Sequence, residues 1–337
     1  MSMLHHLKCG PQTVVRGCLT PHARPVLCIP SGDRVSVDTV NAAGLPEHET
    51  EQWLRSQGIE SEGAVLELLA ILRAHEPGPG PHVLTGPVAV EGAMPGDVLS
   101  VEVLSVTPRP PFFGLNFSRP GAGSLPQLLN APWRKLMAID AARLSAFFKP
   151  GLELALAPFM GIMGVAPREA VSSTAPGLFG GNLDLRDLRP GARLYLPVQV
   201  PGALFYTGDG HGLQGHGEVN LTALECSMNC ELRFVLHKGR TLAGPLAETV
   251  DDYLVLGLDA DLERAMTQAV ARSVALLQWV LGGPAAEAYA LCSLVADYQV
   301  TQFVNGVKGV HARISKSRLP SPGRRRQWYW GLPPMAI

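Results

Sequence analysis

The 337-residue chain lacks any apolar run long enough to cross a membrane as a helix. Such a helix needs about 18 consecutive apolar residues, and no stretch of the sequence reaches that length. Near the start, His5, His6 and Lys8 stand where a secretory signal peptide would carry its apolar core. We therefore expect a cytoplasmic protein without a membrane partner.

Neither positive nor negative charge predominates in the chain. The formal net charge is -1, and the densest basic run is residues 324–326 in a Pro-rich segment. Binding of nucleic acid requires a basic stripe or patch, so we expect no nucleic-acid partner. We interpret the three arginines as part of a solvated tail over residues 321–337.

Cysteine is too scarce for a disulfide scaffold, since the chain has only six. Cys226 and Cys230 are four residues apart on a predicted strand, where they would share one face. That spacing could begin a zinc site. No second pair with zinc spacing accompanies them, so buried free thiols are the favoured interpretation.

Glycine and proline are abundant, with 36 and 29 residues spread along the chain. They punctuate many short segments, which favours a β-rich architecture. Turns containing Ser-Gly-Asp or Pro-Gly are followed by alternating β-branched and apolar residues. This pattern recurs in residues 25–40, 83–107 and 188–200.

Helical periodicity is confined to three segments. Residues 62–74 carry an apolar face, and a longer helix begins near Asp259 and stops at residues 282–284. A third is predicted from Pro284, as its first helical residue, towards Val300. The expected fold class is therefore α+β, with predominantly antiparallel sandwich- or barrel-like sheets and a helical pair near the C-terminus. We expect a single unit over residues 1–320, with a β part over about 1–175 and a β-plus-helix part over about 176–320.

One glycine-rich stretch, residues 206–218, concentrates side chains that bind metals. Asp209 and His211 are two residues apart, as are His216 and Glu218, so each pair shares a face on an extended backbone. Gln214 lies between the pairs. Two imidazoles and two carboxylates are ligand types for zinc and related divalent metals. The alternative is a Gly-rich hairpin whose polar groups face water.

Two further candidates lie upstream. Asn182 and Asp184 would share a face by the two-residue rule, although Asn and Asp are also common turn residues. His82 precedes a predicted strand and is a candidate ligand, although a lone histidine is often structural. A G-x-S-x-G nucleophile motif is absent from the sequence.

These segments together resemble the acetamidase/formamidase family. The similarity runs in the family's order through PVLCIPSGDRVSVDTV (25–40), LTGPVAVEGAMPGDVLSVEV (84–103), APFMGIMGVAP (157–167), residues 180–225 and AYALCSLVADYQVTQFVN (288–305). The resemblance implies a mostly β, oligomeric hydrolase of formamide, acetamide or similar small amides. It also implies a bound divalent metal, which we expect to be zinc, with calcium as the alternative.

The family's motifs fall on specific positions of this chain, and the resemblance implies their roles. Its Gly-Asn-x-Asp motif falls on Asn182 and Asp184. Its Gly-Asp-x-His motif falls on Asp209 and His211, and its closing Gly-Glu falls on Glu218. Its histidine before the Gly-Pro segment falls on His82. The expected metal ligands are His82, Asp184, Asp209 and His211. The expected catalytic residues are Glu218, as general base, and His216, and the expected substrate-binding residues are Asn182, Gln214 and Phe205.

Two departures from the family pattern leave alternatives open. The family generally has Asp where this chain has His216, and residues 15–20 replace a His-Trp-Gly-Tyr-Phe-Asp-like run of close relatives. One alternative is a non-catalytic or substrate-shifted paralogue that binds a small amide-like ligand. Another is a hydrolase of a larger or cyclic amide.

Overall fold

The computed structural model describes residues 2–46 and 48–320, so the predicted tail over 321–337 lies outside the described residues. Its first strands are β1 Leu4–Leu7, β2 Val14–Arg16, β3 Cys18–Leu19, β4 Leu27–Ile29, β5 Arg34–Asp38, β6 Val83–Val90, β7 Val98–Pro108, β8 Phe113–Ser118, β9 Trp133–Asp140, β10 Ser145–Lys149 and β11 Leu152–Ala155. They continue as β12 Phe159–Val165, β13 Val171–Ser172, β14 Gly180–Asn182, β15 Arg193–Pro197, β16 Phe205–His211, β17 Glu225–Cys226, β18 Met228–His237, β19 Leu246–Glu248, β20 Asp252–Asp259, β21 Ala296–Gln302 and β22 Lys308–Ser315.

Two large sheets contain nearly all of these strands. The first has nine strands in the order β1-β5-β18-β7-β15-β19-β20-β22-β21. The second has eleven, with the path β11-β10-β9-β8-β17-β16-β12-β14 and with β6 joining β16 to β2 and β4. Pairing is antiparallel except for β1 with β5 and β4 with β6. Each large sheet takes strands from both sides of residue 175.

The main hydrophobic core lies between the two sheets. In β5 the buried residues alternate with half-buried ones, so that Val35 and Val37 point inward. The same core includes Phe234 of the first sheet and Met163 and Phe205 of the second. Free cysteines 226 and 230 are buried here as well. The alternation read in the sequence therefore predicts the buried side of β5, whereas β6, β12 and β16 are buried at every position.

Four α-helices and one short 3-10 helix, Lys316–Arg318, complete the described structure. The α-helices are α1 Thr50–Ser56, α2 Ala64–Ala74, α3 Leu262–Leu281 and α4 Ala285–Val295. The carboxylate of Asp261 caps α3 by accepting a hydrogen bond from the Arg264 N–H at 3.0 Å. Helix α3 ends at Gly282, whose φ of 76° suits glycine. In the described part of the chain, no helix combines the length and the apolarity needed to span a membrane.

The predicted fold class, with mainly antiparallel sheets and a late helical pair, is confirmed. The predicted extent of the last helix is wrong. It ends at Val295, and residues 296–302 form β21, which pairs with β22. This stretch contains Tyr298, Val300 and Thr301, which favour strands, and an available partner strand decides its conformation. Pro284 is the residue before the helix rather than its first residue.

Candidate active site

The candidate site lies where β12, β16 and β17 meet in the second sheet. In β16, Asp209 and His211 are both buried, at 6% and 1% exposure. The register pairs His211 with Glu225 of β17. It also sets Gly161 of β12 opposite Asp209, between the pairs Met160–Gly210 and Ile162–Gly208. Strand pairing therefore brings Glu225 and Gly161 to the Asp209 and His211 pair that β16 itself supplies.

Four carboxylates and two imidazoles converge here. The Nε2 atom of His211 lies 3.3 Å from Asp209 Oδ2 and 3.3 Å from Glu225 Oε2. The other ring nitrogen, Nδ1, lies 3.8 Å from Asp184 Oδ1. The Nε2 atom of His82 lies 3.8 Å from Asp209 Oδ1. Glu218 completes the set, since a carboxylate oxygen of Glu218 lies within 4.8 Å of ligand atoms of Asp184 and His211.

Three of these acids have an unusual backbone conformation. Asp184, Asp209 and Glu218 have positive φ values of 46°, 58° and 48°. Residues with a Cβ rarely adopt this conformation, and such conformations concentrate at functional sites because the surrounding structure must hold them. The fold therefore directs these three carboxylates into the cluster.

The ring of His211 is oriented by Gln214. Its Nδ1 lies 2.9 Å from Oε1 of Gln214, and Nε2 of the same amide donates to the main-chain carbonyl of Asp184 at 2.9 Å. Because Oε1 can only accept, Nδ1 of His211 carries the hydrogen. Nε2 of His211 is then the atom directed at Asp209 and Glu225. Such a second contact commonly fixes the tautomer of a metal-binding histidine.

Burial and mutual charge shift the ionisation of the cluster. Burial lowers the pKa of His211, but the negative charges of Glu225 and Asp209 outweigh it and raise that pKa well above its usual value. Burial raises the pKa of Glu225 to about 7. Burial, and then the charge of Asp184, raises the pKa of Glu218 well above its usual value. Asp209 has a lowered pKa, because the neighbouring imidazoles His211 and His82 outweigh its burial.

The donor set fits a divalent cation. Four buried carboxylates face only two imidazoles, and burial together with this excess of acid raises the pKa values of Asp184, Glu218 and Glu225 in the metal-free protein. Buried charges are normally paired or bound to a metal. Within the described residues, four atoms of the cluster are buried without a hydrogen-bond partner: Asp184 Oδ1, His211 Nε2, Glu218 Oε2 and Glu225 Oε2.

Two overlapping trios could hold an ion, and they share His211. One is Asp209, His211 and Glu225, and the other is Asp184, His211 and Glu218. Tetrahedral zinc with bonds of about 2.0–2.2 Å separates its ligand atoms by about 3.3–3.5 Å. His211 Nε2 meets both Asp209 and Glu225 at 3.3 Å. In the second trio Nδ1 of His211 is the atom 3.8 Å from Asp184, and Nδ1 already binds Gln214, so the geometry favours the first trio.

A small cavity of about 330 Å³ opens onto the cluster. Asp184, Asp209, Glu218 and Glu225 line it together with Asn182. The rest of its wall includes Ala43, Gly44, Pro79, Gly80, Pro81, His82, Phe117, Leu221, Val304 and Asn305. This volume is at the lower end for ligand pockets, which suits a small molecule.

Asn182 and Asn305 line this cavity together with the polar residues Arg119, Thr174 and Thr222. The Asn182 amide donates from Nδ2 to the Thr174 carbonyl at 3.0 Å, which leaves its Oδ1 buried without a partner among the described residues. Nδ2 of Asn305 donates to Asp184 Oδ2 at 2.5 Å. Asn182 Oδ1 is therefore an amide acceptor without a partner in the described residues, and it lines the cavity beside the four carboxylates.

The model of the acetamidase/formamidase family matches residues 79–175 and 168–311 of this chain, which is more than half of it. The chain belongs to the acetamidase/formamidase family.

Relatives and solved structures agree with this assignment. An acetamidase of Mycolicibacterium smegmatis is 26% identical over 219 residues, which cover 47% of this chain and 54% of that protein. A formamidase of Methylophilus methylotrophus is 26% identical over 245 residues, covering 53% and 60%. The chain thus spans about half the length of the curated relatives it matches. The crystal structure of a recombinant predicted acetamidase/formamidase from Thermoanaerobacter tengcongensis superposes with a TM-score of 0.82 at 26% identity, covering 97% of this chain and all of that one.

Most of the site residues predicted for this family member meet in one place. Asn182, Asp184, Asp209 and Glu218 line the cavity with His82. The Nδ1 atom of His82 lies 2.8 Å from Ser173 Oγ, which leaves its Nε2 towards Asp209.

Three predicted residues lie elsewhere or have a different contact. Phe205 packs edge-on against Phe234 in the main core and does not line this cavity. Gln214 binds His211 and the backbone of Asp184, so it supports the cluster instead of facing the cavity. His216 does not line this cavity either, and its Nε2 lies 3.7 Å from Asp187 Oδ2.

Sequence reasoning missed Glu225, Gly161 and Asn305. One feature of the sequence could have indicated Glu225, which is an acid between the apolar residues Leu224 and Cys226. Its place opposite His211 depends on the register of two strands. No local pattern marks Gly161 or Asn305.

Proposed function

We propose that this chain is an amidohydrolase that cleaves the C–N bond of a short linear carboxamide, giving a carboxylate and ammonia. Support comes from the buried cluster of four carboxylates and two imidazoles that opens onto a small cavity. The relatives named acetamidase and formamidase share this family. We propose further that the reaction depends on a divalent metal ion, most simply zinc.

Asp209, His211 and Glu225 would hold the ion, and three protein ligands leave a position for water or substrate. His82 Nε2 lies beside Asp209, 3.8 Å from its Oδ1. When bound, such an ion supplies Lewis acidity that polarises a carbonyl and acidifies water. Its positive charge also favours the ionised form of nearby carboxyl groups. Glu218, which has a raised pKa in the metal-free protein, would then be ionised and ready to accept a proton.

Glu218 is the proposed general base. It is buried, it lines the cavity and its Oε2 has no hydrogen-bond partner among the described residues. As the oxygen of water bonds to the amide carbon, Glu218 accepts a proton from that water. It then delivers the proton to the amide nitrogen, the C–N bond breaks and ammonia leaves. Asp184, which accepts a hydrogen bond from Asn305, places a further carboxylate beside Glu218 and raises the pKa of Glu218.

Asn182 would select amides by their N–H groups. Its Oδ1 can only accept a hydrogen bond, and the Thr174 carbonyl occupies its donor side. An N–H of a primary carboxamide satisfies this atom, whereas a fully substituted amide leaves it unpaired. Sites built on such hydrogen bonds reject analogues that lack the donor strongly.

The direct test measures carboxylate release from formamide, acetamide and N,N-dimethylacetamide. We expect turnover of the two primary amides, little on the dimethyl amide, loss after chelator treatment and recovery with zinc. A zinc-reconstituted protein that is inert on every amide would refute the proposal and favour the non-catalytic paralogue. Turnover that survives complete metal removal would refute only the metal-dependent part.

A further inference from the structure

A second cluster of metal-binding side chains lies outside the site described above. Asp187, His216 and His311 each offer a ligand atom, and the three atoms lie within 4.8 Å of one another. Asp187 Oδ2 lies 3.7 Å from His216 Nε2 and 4.0 Å from His311 Nε2. These separations are too long for hydrogen bonds, so the three groups converge without satisfying one another.

His311 and Asp187 are each oriented by a hydrogen bond on the side that faces away from the cluster. The Nδ1 atom of His311 lies 2.8 Å from Thr301 Oγ1, which leaves Nε2 facing the cluster. Asp187 accepts a hydrogen bond from Arg313 on Oδ1 at 2.5 Å, which leaves Oδ2 facing the same point. His311 is fully buried and Asp187 is 6% exposed. In the described part of the chain, His311 Nε2, Asp187 Oδ2 and both ring nitrogens of His216 are buried without a hydrogen-bond partner.

The pairing of Asp187 with Arg313 does not by itself account for this arrangement. Arg313 also donates to Asp252 at 2.6 Å, so its positive charge is shared by two carboxylates. Asp187 therefore retains negative charge on the side that faces the imidazoles. An ion pair with Arg313 accounts for the orientation of Asp187 Oδ1. It does not account for the two histidine nitrogens that face Oδ2.

We propose that Asp187, His216 and His311 hold a second divalent cation of the zinc class. Two imidazole nitrogens and one carboxylate oxygen are donors that zinc takes in proteins. Thr301 and Arg313 provide the outer contacts that orient such ligands. A cavity of about 280 Å³, lined in part by His216 and Glu218, borders the cluster on the His216 side.

The ion would connect three segments that meet near the proposed active site. Asp187 lies three residues after Asp184, and His216 lies in the loop that carries Gln214 and Glu218. His311 belongs to β22 of the first sheet. A cation here would hold the two segments that carry Asp184 and Glu218 against the first sheet. Its role is to position those acids.

The test is metal stoichiometry, measured by elemental analysis after zinc loading and removal of free zinc. Wild type is expected to hold two equivalents per chain. His216→Gln and His311→Gln are each expected to hold one, and so is Asp209→Asn, which disables the first site. The matched control is His237→Gln, a half-buried histidine on β18 that contacts Ser100, and it should hold two.

The pattern of losses separates this proposal from the proposed function. If wild type holds only one equivalent, which Asp209→Asn keeps and His216→Gln loses, the second site stands and the metal at the first site is refuted. If folded His216→Gln keeps the wild-type stoichiometry, the second site is refuted, even where His311→Gln fails to fold. His216→Asp offers a further check, since a second carboxylate should shift the preference from zinc towards calcium.

Discussion

Gly161 lies directly against Asp209, and the space between them exists because position 161 has no side chain. A Cβ there would lie 2.7 Å from Asp209 Oδ2, 2.7 Å from Asp184 Oδ1 and 2.8 Å from His211 Cε1. Real Cβ atoms essentially never come this close to another heavy atom. One hydrogen at this position thus allows three candidate site residues to converge.

We expect Gly161→Ala to fold and to lose both zinc binding at the first site and amide turnover. The carboxylates and His211 would have to move apart, and a misplacement of about 1 Å can cost about 100-fold in rate. Gly215→Ala is the control, because a Cβ at 215 meets nothing within 4 Å. Equal kcat/KM for wild type and Gly161→Ala would show that these residues do not act as one cluster.

The same change from Glu to Gln should have different effects at Glu218 and at Glu225. Glu218→Gln is expected to retain zinc and to lose about 10²–10⁴-fold in kcat, because it removes proton transfer. Glu225→Gln removes a proposed ligand opposite His211, so it should lose zinc from the first site. Zinc titration and kcat, measured on both variants, decide the matter. If Glu218→Gln loses zinc and Glu225→Gln retains it, their roles are reversed.

The sequence predicts those parts of the site that depend on local spacing. Asp209 and His211 enter the same cluster from strand β16, as the two-residue rule predicts, although Asp209 itself has a positive φ of 58°. The same rule fails for His216 and Glu218. Residues 212–218 form no strand, Gly217 and Glu218 have positive φ, and the two side chains enter different clusters.

The rest of the site depends on pairing between distant strands. Glu225 reaches His211 through the register of β16 and β17, and Gly161 reaches Asp209 through that of β12 and β16. Period-two alternation predicts which face a residue occupies, but it does not choose the neighbouring strand or its register. That choice is made by packing across the whole sheet.

Gln214 is expected to act on the metal through His211. Gln214→Ala leaves the His211 N–H without an acceptor and should weaken zinc binding at the first site about 10–100-fold. Gln214→Glu keeps an acceptor for His211 but loses the donor to the Asp184 carbonyl, so its loss should be smaller. Zinc affinities from chelator competition give this ranking. Unchanged affinity in Gln214→Ala would rule out the orienting role.

The last prediction concerns how zinc affinity at the first site changes with pH. In the metal-free protein His211 and Glu218 have pKa values well above their usual ones, and Glu225 has a pKa of about 7. These groups therefore hold protons at slightly acid pH. Zinc binds only the deprotonated forms of its ligands His211 and Glu225, and its charge also favours ionised Glu218. Binding must therefore release protons and becomes tighter as pH rises.

Each proton released makes Kd fall about tenfold per pH unit, so we expect at least that slope between pH 5.5 and 7. The slope should become shallower above pH 7, where Glu225 is already ionised without metal. Chelator competition across pH 5.5 to 8 measures it, in His216→Gln so that the first site is observed alone. Calorimetry in buffers of different ionisation enthalpy counts the protons independently. A Kd that does not change with pH, with no proton release, would mean that zinc does not bind to His211 and Glu225.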